Sequence, residues 1–266
     1  MAERDPTKHL VLVHGAWQGR WSFAAWTPML EAAGWHVHAV DLPGNGWGPH
    51  GQAPASLAHY TAHVAGLVLS LGRPAVVLGH SGGGITASQV AEALPDRVTA
   101  LVYLAGMMLP SGLSYADLVQ RVTAADPHAD VAGISPFLDH DPDTGTTTVR
   151  PEGALACFVQ DCDPAAARDA VALLRPQPES GRRMVNRLSP ERFGRVPRLY
   201  VECSEDRSVT RPMQQEMQRL SPGTKRLPIG CGHVPQLARP DELTRLLVPE
   251  LDAIHARRTL SLPSTP

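Results

Sequence analysis

Nothing in this chain is long and apolar enough to cross a bilayer: no hydrophobic run approaches the roughly 18–20 residues that a spanning helix needs. Residues 1–6 are charged and hold no apolar stretch, so no secretory signal is expected and a cytoplasmic address is the default. Neither charge sign is in excess. With 24 Lys and Arg against 26 Asp and Glu, the formal net charge of −2 gives no pull toward nucleic acid or an anionic membrane. The four cysteines (Cys157, Cys162, Cys203 and Cys231) include no C-x-x-C pair, which argues against zinc or redox chemistry and for buried or spare thiols, with no metal. No internal repeat is present. The composition is that of a globular protein, 43 % hydrophobic and 19 % charged, and 266 residues can bury one large core or two smaller ones.

The most informative stretch is Gly79-His80-Ser81-Gly82-Gly83, which follows the apolar run Ala75–Leu78 and precedes a helix-like segment from Gly84 to Ala93. G-x-S-x-G between a strand and a helix carries a serine on a sharp, strained turn. Strand and helix pass close together there, so the positions two residues either side must lack side chains, as Gly79 and Gly83 do. The turn lifts the Ser81 hydroxyl out of the sheet. It also aims N–H groups at a helix N-terminus toward any developing oxyanion.

Short β-type runs alternate with longer helical ones, the pattern of a parallel sheet wrapped by helices. The strand candidates are Leu10–His14, His36–Asp41, Ala75–Gly79, Ala100–Leu104, Arg198–Glu202 and Lys225–Pro228. Helices are expected at Ser22–Ala33, Ser56–Leu71, Gly84–Ala93, Pro212–Leu220 and Pro240–His255, with a frayed tail over Thr259–Pro266. The alternation breaks in the proline-rich stretch 110–196, which lacks strong strand runs and offers short helices near Tyr115–Ala124 and Pro164–Leu174. An insertion there reads as a lid over the strand C-termini, dividing the chain into a core of 1–109 and 197–266 and a helical cap of 110–196.

A serine hydroxyl needs a base within hydrogen-bond reach and a third group to orient that base. Among the twelve histidines, His233 follows Gly230-Cys231-Gly232 after the last strand candidate, on the same sheet rim as Ser81. The acid is expected after Arg198–Glu202, where Glu205 and Asp206 are neighbours; Asp206 is the choice and Glu205 the rival. The order Ser81, Asp206, His233 is serine, acid, histidine. His80 is a poor base, since adjacent side chains at a strand end point apart, so it lines the pocket or packs beneath it. His14 reads as a brace for its loop, and Asp41 as structural. Gly15 permits a tight bend after the first strand, so that the Ala16 N–H can join the Gly82 N–H as an oxyanion donor. Trp17 is placed to reach the pocket mouth, while Trp21 and Trp26 read as helix packing.

With these residues in hand, the chain resembles the α/β-hydrolase superfamily, and within it the plant methylesterase and hydroxynitrile lyase group with its bacterial esterase relatives. The resemblance covers nearly the whole chain. It rests on Leu10-Val11-Leu12-Val13-His14-Gly15-Ala16-Trp17, Leu30-Glu31-Ala32-Ala33-Gly34, Gly79-His80-Ser81-Gly82-Gly83-Gly84, Val201-Glu202-Cys203-Ser204-Glu205-Asp206 and Gly230-Cys231-Gly232-His233. It implies Ser81 as nucleophile, Asp206 as acid, His233 as base, and Ala16 and Gly82 as the oxyanion hole. It also implies a six-stranded core, a mostly helical cap and no cofactor. The lyase members resemble one another in a threonine where this chain has Gly15 and a lysine where it has Val234, which favours ester cleavage here. Gly82 stands where the plant members carry a bulky apolar residue, leaving the pocket floor more open.

The reading is a serine carboxylesterase for small, largely apolar esters, with a small molecule as its only expected partner and a monomer or homodimer as its expected state. The rivals are a biosynthetic enzyme catalysing cyclisation, dehydration or C–C cleavage of a polyketide-like molecule, a hydroxynitrile lyase, and a non-catalytic ligand receptor.

Overall fold

The computed structural model describes residues 7–47 and 54–261; residues 1–6 and the end of the expected tail, 262–266, lie outside the described residues. In chain order come β1 (Lys8–Val13), α1 (Thr27–Ala32), β2 (Trp35–Val40), α2 (Leu57–Ser70), β3 (Ala75–His80), α3 (Gly83–Ala93) and β4 (Val98–Leu104). The middle of the chain holds α4 (Tyr115–Ala125), β5 (Leu138–Asp141), β6 (Thr146–Val149), α5 (Pro151–Cys157), α6 (Pro164–Ala172) and β7 (Gln177–Pro178). The chain then returns through β8 (Arg198–Cys203), α7 (Arg211–Leu220), β9 (Lys225–Ile229), α8 (Pro235–Ala238) and α9 (Pro240–Ser261).

Six strands form one sheet in the order β2-β1-β3-β4-β8-β9, every neighbouring pair parallel. Its core is two-sided because strand side chains alternate faces. Val11, Val13 and Val77 join α2, α3 and α7 on one side. Leu10, Leu12, Val76 and Leu78 join α1 and α9 on the other. This double covering explains why the strands read as unbroken apolar runs. It also brings every strand C-terminus to one rim. The strand order reverses at β1 and β3, where a crevice opens between diverging connections. The loops bearing Ala16 and Ser81 both leave the sheet there.

Two expectations change. Ser22–Ala33 is not one helix but a 3₁₀ turn at Arg20–Phe23 followed by α1. Pro28 has no N–H to continue a helix begun at Ser22, so the chain starts again with the proline in its first turn. The middle segment is also less helical than its composition suggests. Beside α4, α5 and α6 it carries a three-stranded antiparallel sheet, β5-β6-β7, paired Leu138↔Val149 through Asp141↔Thr146, then Thr146↔Pro178. These strands are short, polar and half exposed, so no alternation of apolar residues announces them.

Candidate active site

Ser81 closes β3 and opens α3 with φ of 50°, in the left-handed region that costs a non-glycine residue about 1–3 kcal/mol. The surroundings hold it there. Its N–H donates to the Leu104 carbonyl at 3.1 Å, and its carbonyl accepts from Gly84 at 3.1 Å and Met107 at 2.8 Å. The flanking glycines are required by space: a Cβ on Gly79 would lie 2.5 Å from the Gly83 carbonyl oxygen, and one on Gly83 2.5 Å from that of Val13. Gly82 differs. A Cβ there would meet nothing nearer than the Ala16 amide nitrogen, at 3.8 Å. Among the described residues, neither the Ala16 nor the Gly82 N–H has a hydrogen-bond acceptor, so two close backbone donors are left over beside Ser81.

The loops after β8 and β9 bring Asp206 and His233 together, Nδ1 to Oδ2 at 2.8 Å, with both side chains buried. Asp206 is fixed independently of the histidine: Oδ1 accepts from the Ser208 N–H at 2.7 Å and the Val209 N–H at 3.0 Å. Glu205 is exposed. An aspartate bound to Nδ1 sets the imidazole tautomer and leaves Nε2 as the working nitrogen. His80 links this pair to the serine turn. Its Nε2 donates to the His233 carbonyl at 2.8 Å, and the two rings stand 4.8 Å apart. Burial, reinforced by the neighbouring His233, pushes the His80 pKa well below 6.5, so it is a neutral prop beneath the site. His14 is also buried and neutral. It donates from Nδ1 to its neighbouring Gly15 carbonyl at 2.7 Å and accepts the Leu42 N–H on Nε2 at 3.0 Å, which braces the loop bearing Ala16. Ser81 Oγ makes no hydrogen bond among the described residues; such contacts often tighten only around substrate.

A short strap after α5 clamps both loops. Phe158 stacks on His233 with ring centroids 5.4 Å apart. Gln160 donates from Nε2 to the Glu205 carbonyl at 3.0 Å, and Asp161 Oδ2 accepts the Gly232 N–H at 2.9 Å. The strap packs tightly on Gly232: a Cβ there would fall 2.4 Å from Gln160 Nε2 and displace that side chain. The loops bearing Asp206 and His233 are thus held by this strap as well as by the sheet.

Ser81 opens on a cavity of about 80 Å³. Gly15, Ala16, Trp17 and Gly82 form its inner end, while Met107, Tyr115, Ile134 and Met184 supply apolar wall. A polar corner is built from Tyr60, Asn45 and Gln177: the Tyr60 hydroxyl donates to Asn45 Oδ1 at 2.6 Å, and Gln177 Nε2 donates to Tyr60 at 3.2 Å. Trp17 ties the loop after β1 to β6, its indole N–H donating to the Thr147 carbonyl at 3.0 Å.

The structure therefore gathers Ser81, Ala16, Gly82, Gly15 and Trp17 in the lining of one cavity and joins Asp206 to His233, a pair outside that lining that reaches the serine turn through His80. His80 and Val234 are not among the cavity's lining residues: His80 packs against His233, and Val234 lines a smaller apolar space with Phe158 and Leu237. Sequence reasoning missed Gln160, Asp161, Arg182 and the Tyr60 corner. Each owes its place to contacts with residues far away along the chain, for which the sequence carries no local signal.

A family model described as "Alpha/beta hydrolase family" matches residues 10–246. The chain is 28 % identical to a pyrethroid hydrolase of Sphingobium wenxiniae, covering 92 % of this chain and 88 % of that protein. It is 29 % identical to salicylic acid-binding protein 2 of Nicotiana tabacum, over 91 % and 96 %. Among solved structures, a pyrethroid hydrolase from Sphingobium faniae superposes with a TM-score of 0.80 at 25 % identity, over 93 % and 98 %.

Proposed function

The chain belongs to the alpha/beta hydrolase family, and from that premise we propose that it is a carboxylesterase whose nucleophile is Ser81. The observation that carries the reading is a strained serine at a cavity end whose sequence neighbour, His80, holds a buried histidine–aspartate pair. His233 takes the Ser81 proton through Nε2 as Oγ attacks the ester carbonyl, and Asp206 stabilises the imidazolium that forms. The Ala16 and Gly82 N–H groups donate to the tetrahedral oxyanion; loss of one such donor typically costs about 10²–10³ in rate. His233 then protonates the departing alcohol. Water, deprotonated by the same histidine, cleaves the acyl-enzyme to release the acid and restore Ser81.

Ester cleavage is favoured by relatives named as esterases, a methyl jasmonate esterase of Vitis vinifera and a methylesterase of Arabidopsis thaliana. Gly15 and Val234 offer no hydroxyl or ammonium group, which argues against the cyanohydrin reaction. The largely apolar wall suits small esters with an apolar body. Ser81→Ala is expected to lower turnover of a nitrophenyl ester by on the order of 10⁴ or more while leaving the melting temperature near the parent's. A fluorophosphonate probe should label the parent and not the variant. Near-parental turnover by a folded Ser81→Ala protein ends this reading.

A further inference from the structure

Among the residues lining the cavity there is no aspartate, glutamate or lysine; the one permanently charged group in its wall is Arg182. Its guanidinium lies over the Trp17 ring, 4.7 Å from the centroid. Trp17 directly follows Ala16, so the stack fixes the cation against the loop that supplies the proposed oxyanion donor. The side chain is 23 % exposed and its hydrogen bonds are one-sided. Both run from Nη1, to Glu179 and to Thr147 Oγ1 at 3.5 Å. Among the described residues, Nε and Nη2 have no acceptor, which leaves N–H donors for a ligand in a group that always carries charge.

Glu179 does not cancel that charge. It also accepts from Arg183 Nε at 2.9 Å, so one carboxylate is shared by two guanidiniums and the group keeps a net positive charge. Glu179 lies outside the cavity lining, whereas Arg182 is part of it. Tyr115 lines the same space, and its hydroxyl has no partner among the described residues. An apolar cavity with a nucleophile at one end and a partly desolvated, half-satisfied guanidinium in its wall is built for a substrate of matching polarity.

We infer that Arg182 is a specificity residue for a carboxylate on the substrate, and that the preferred substrates are half-esters of dicarboxylic acids. This rests on the ester-cleaving reading above. The free carboxylate receives N–H bonds from Nε and Nη2 of Arg182 and an O–H bond from Tyr115, while the ester carbonyl lies at Ser81. Hydrolysis consumes one water and releases an alcohol, a dicarboxylate and a proton.

The test has two readouts. Binding is measured on the Ser81→Ala protein by calorimetry with monomethyl glutarate and with dimethyl glutarate. The anion is expected to bind at least about tenfold more tightly, with the preference shrinking as salt is raised and vanishing in Ser81→Ala/Arg182→Met. Turnover is measured on matched nitrophenyl esters, the hemiglutarate and the pentanoate. The ratio of their kcat/KM is expected to fall roughly 10–100-fold in Arg182→Met, chiefly through KM, and to recover in part in Arg182→Lys. Equal binding of the two glutarates by the folded Ser81→Ala protein, or a turnover ratio untouched by Arg182→Met, overturns the inference and leaves the esterase standing. Absence of turnover on both esters overturns the esterase instead, and the binding comparison still decides whether the cavity selects a carboxylate.

Discussion

Three glycines around Ser81 look alike in the sequence, yet they differ in what the backbone tolerates. Gly79 and Gly83 face carbonyl oxygens at distances no Cβ can occupy, whereas Gly82 has ordinary helical φ of −56° and open space before it. Gly79→Ala is therefore expected to cost several kcal/mol, because the clash is with backbone and can be relieved only by moving β3 from α3. Gly82→Ala should melt within a few degrees of the parent, since the added methyl meets only van der Waals contact. Thermal melts of both variants check the contrast; a Gly79→Ala protein as stable as Gly82→Ala contradicts the packing described. The motif was thus readable at the level of residue type, but the differing roles of its glycines needed coordinates. A substitution at Gly82 also points the new side chain toward the Ala16 amide, which makes this position a place to narrow the cavity without disturbing the turn.

At the level of elements, the strap 158–161 is as much a part of the site as the strands are. Gln160 and Asp161 touch neither Ser81 nor the cavity lining, so they act by holding the loops of Asp206 and His233. Gln160→Ala and Asp161→Ala are each expected to lower kcat about tenfold with KM nearly unchanged, because the substrate walls stay put while the acid–base pair loosens. Asp161→Asn keeps an acceptor for the Gly232 N–H and should retain most of the activity. Steady-state kinetics on one ester separates these outcomes. Should KM rise with kcat constant, the strap shapes the binding walls rather than the pair. The same strap shows why cap function is hard to read in advance. Val159-Gln160-Asp161 has no periodicity and no motif, and its meaning comes from Glu205 and Gly232, which lie far along the chain.

Across the whole molecule, the parallel sheet was legible because both of its faces are buried, so each strand declares itself as an apolar run between turn residues. The small sheet in the insertion was not. Thr146–Val149 pairs on both sides with short polar segments, and tertiary pairing alone makes them strands. Ser81, Asp206 and His233 stand out in the sequence as candidates because each sits just after a core strand, whereas the contacts that 158–161 makes to their loops leave no mark there. The buried imidazoles have a consequence for the fold as a whole. Burial lowers the folded pKa of His14 and His80 below 6.5. Above that pH both folded and unfolded forms are neutral and stability is complete. As pH falls through about 6.5 the unfolded chain takes up protons the native state refuses, so stability declines by up to about 1.4 kcal/mol per pH unit for each histidine. Melting temperatures measured from pH 8 to 5 should fall below about pH 6.5, with a shallower slope in His80→Gln. A flat profile contradicts the neutral, buried assignment. The strap carries a further lesson for anyone exchanging insertions among relatives to change specificity. The segment that supplies new walls also supplies the hydrogen bonds steadying the loops of Asp206 and His233, so a transplant that leaves Gln160 and Asp161 behind changes the walls and slackens that buried pair together.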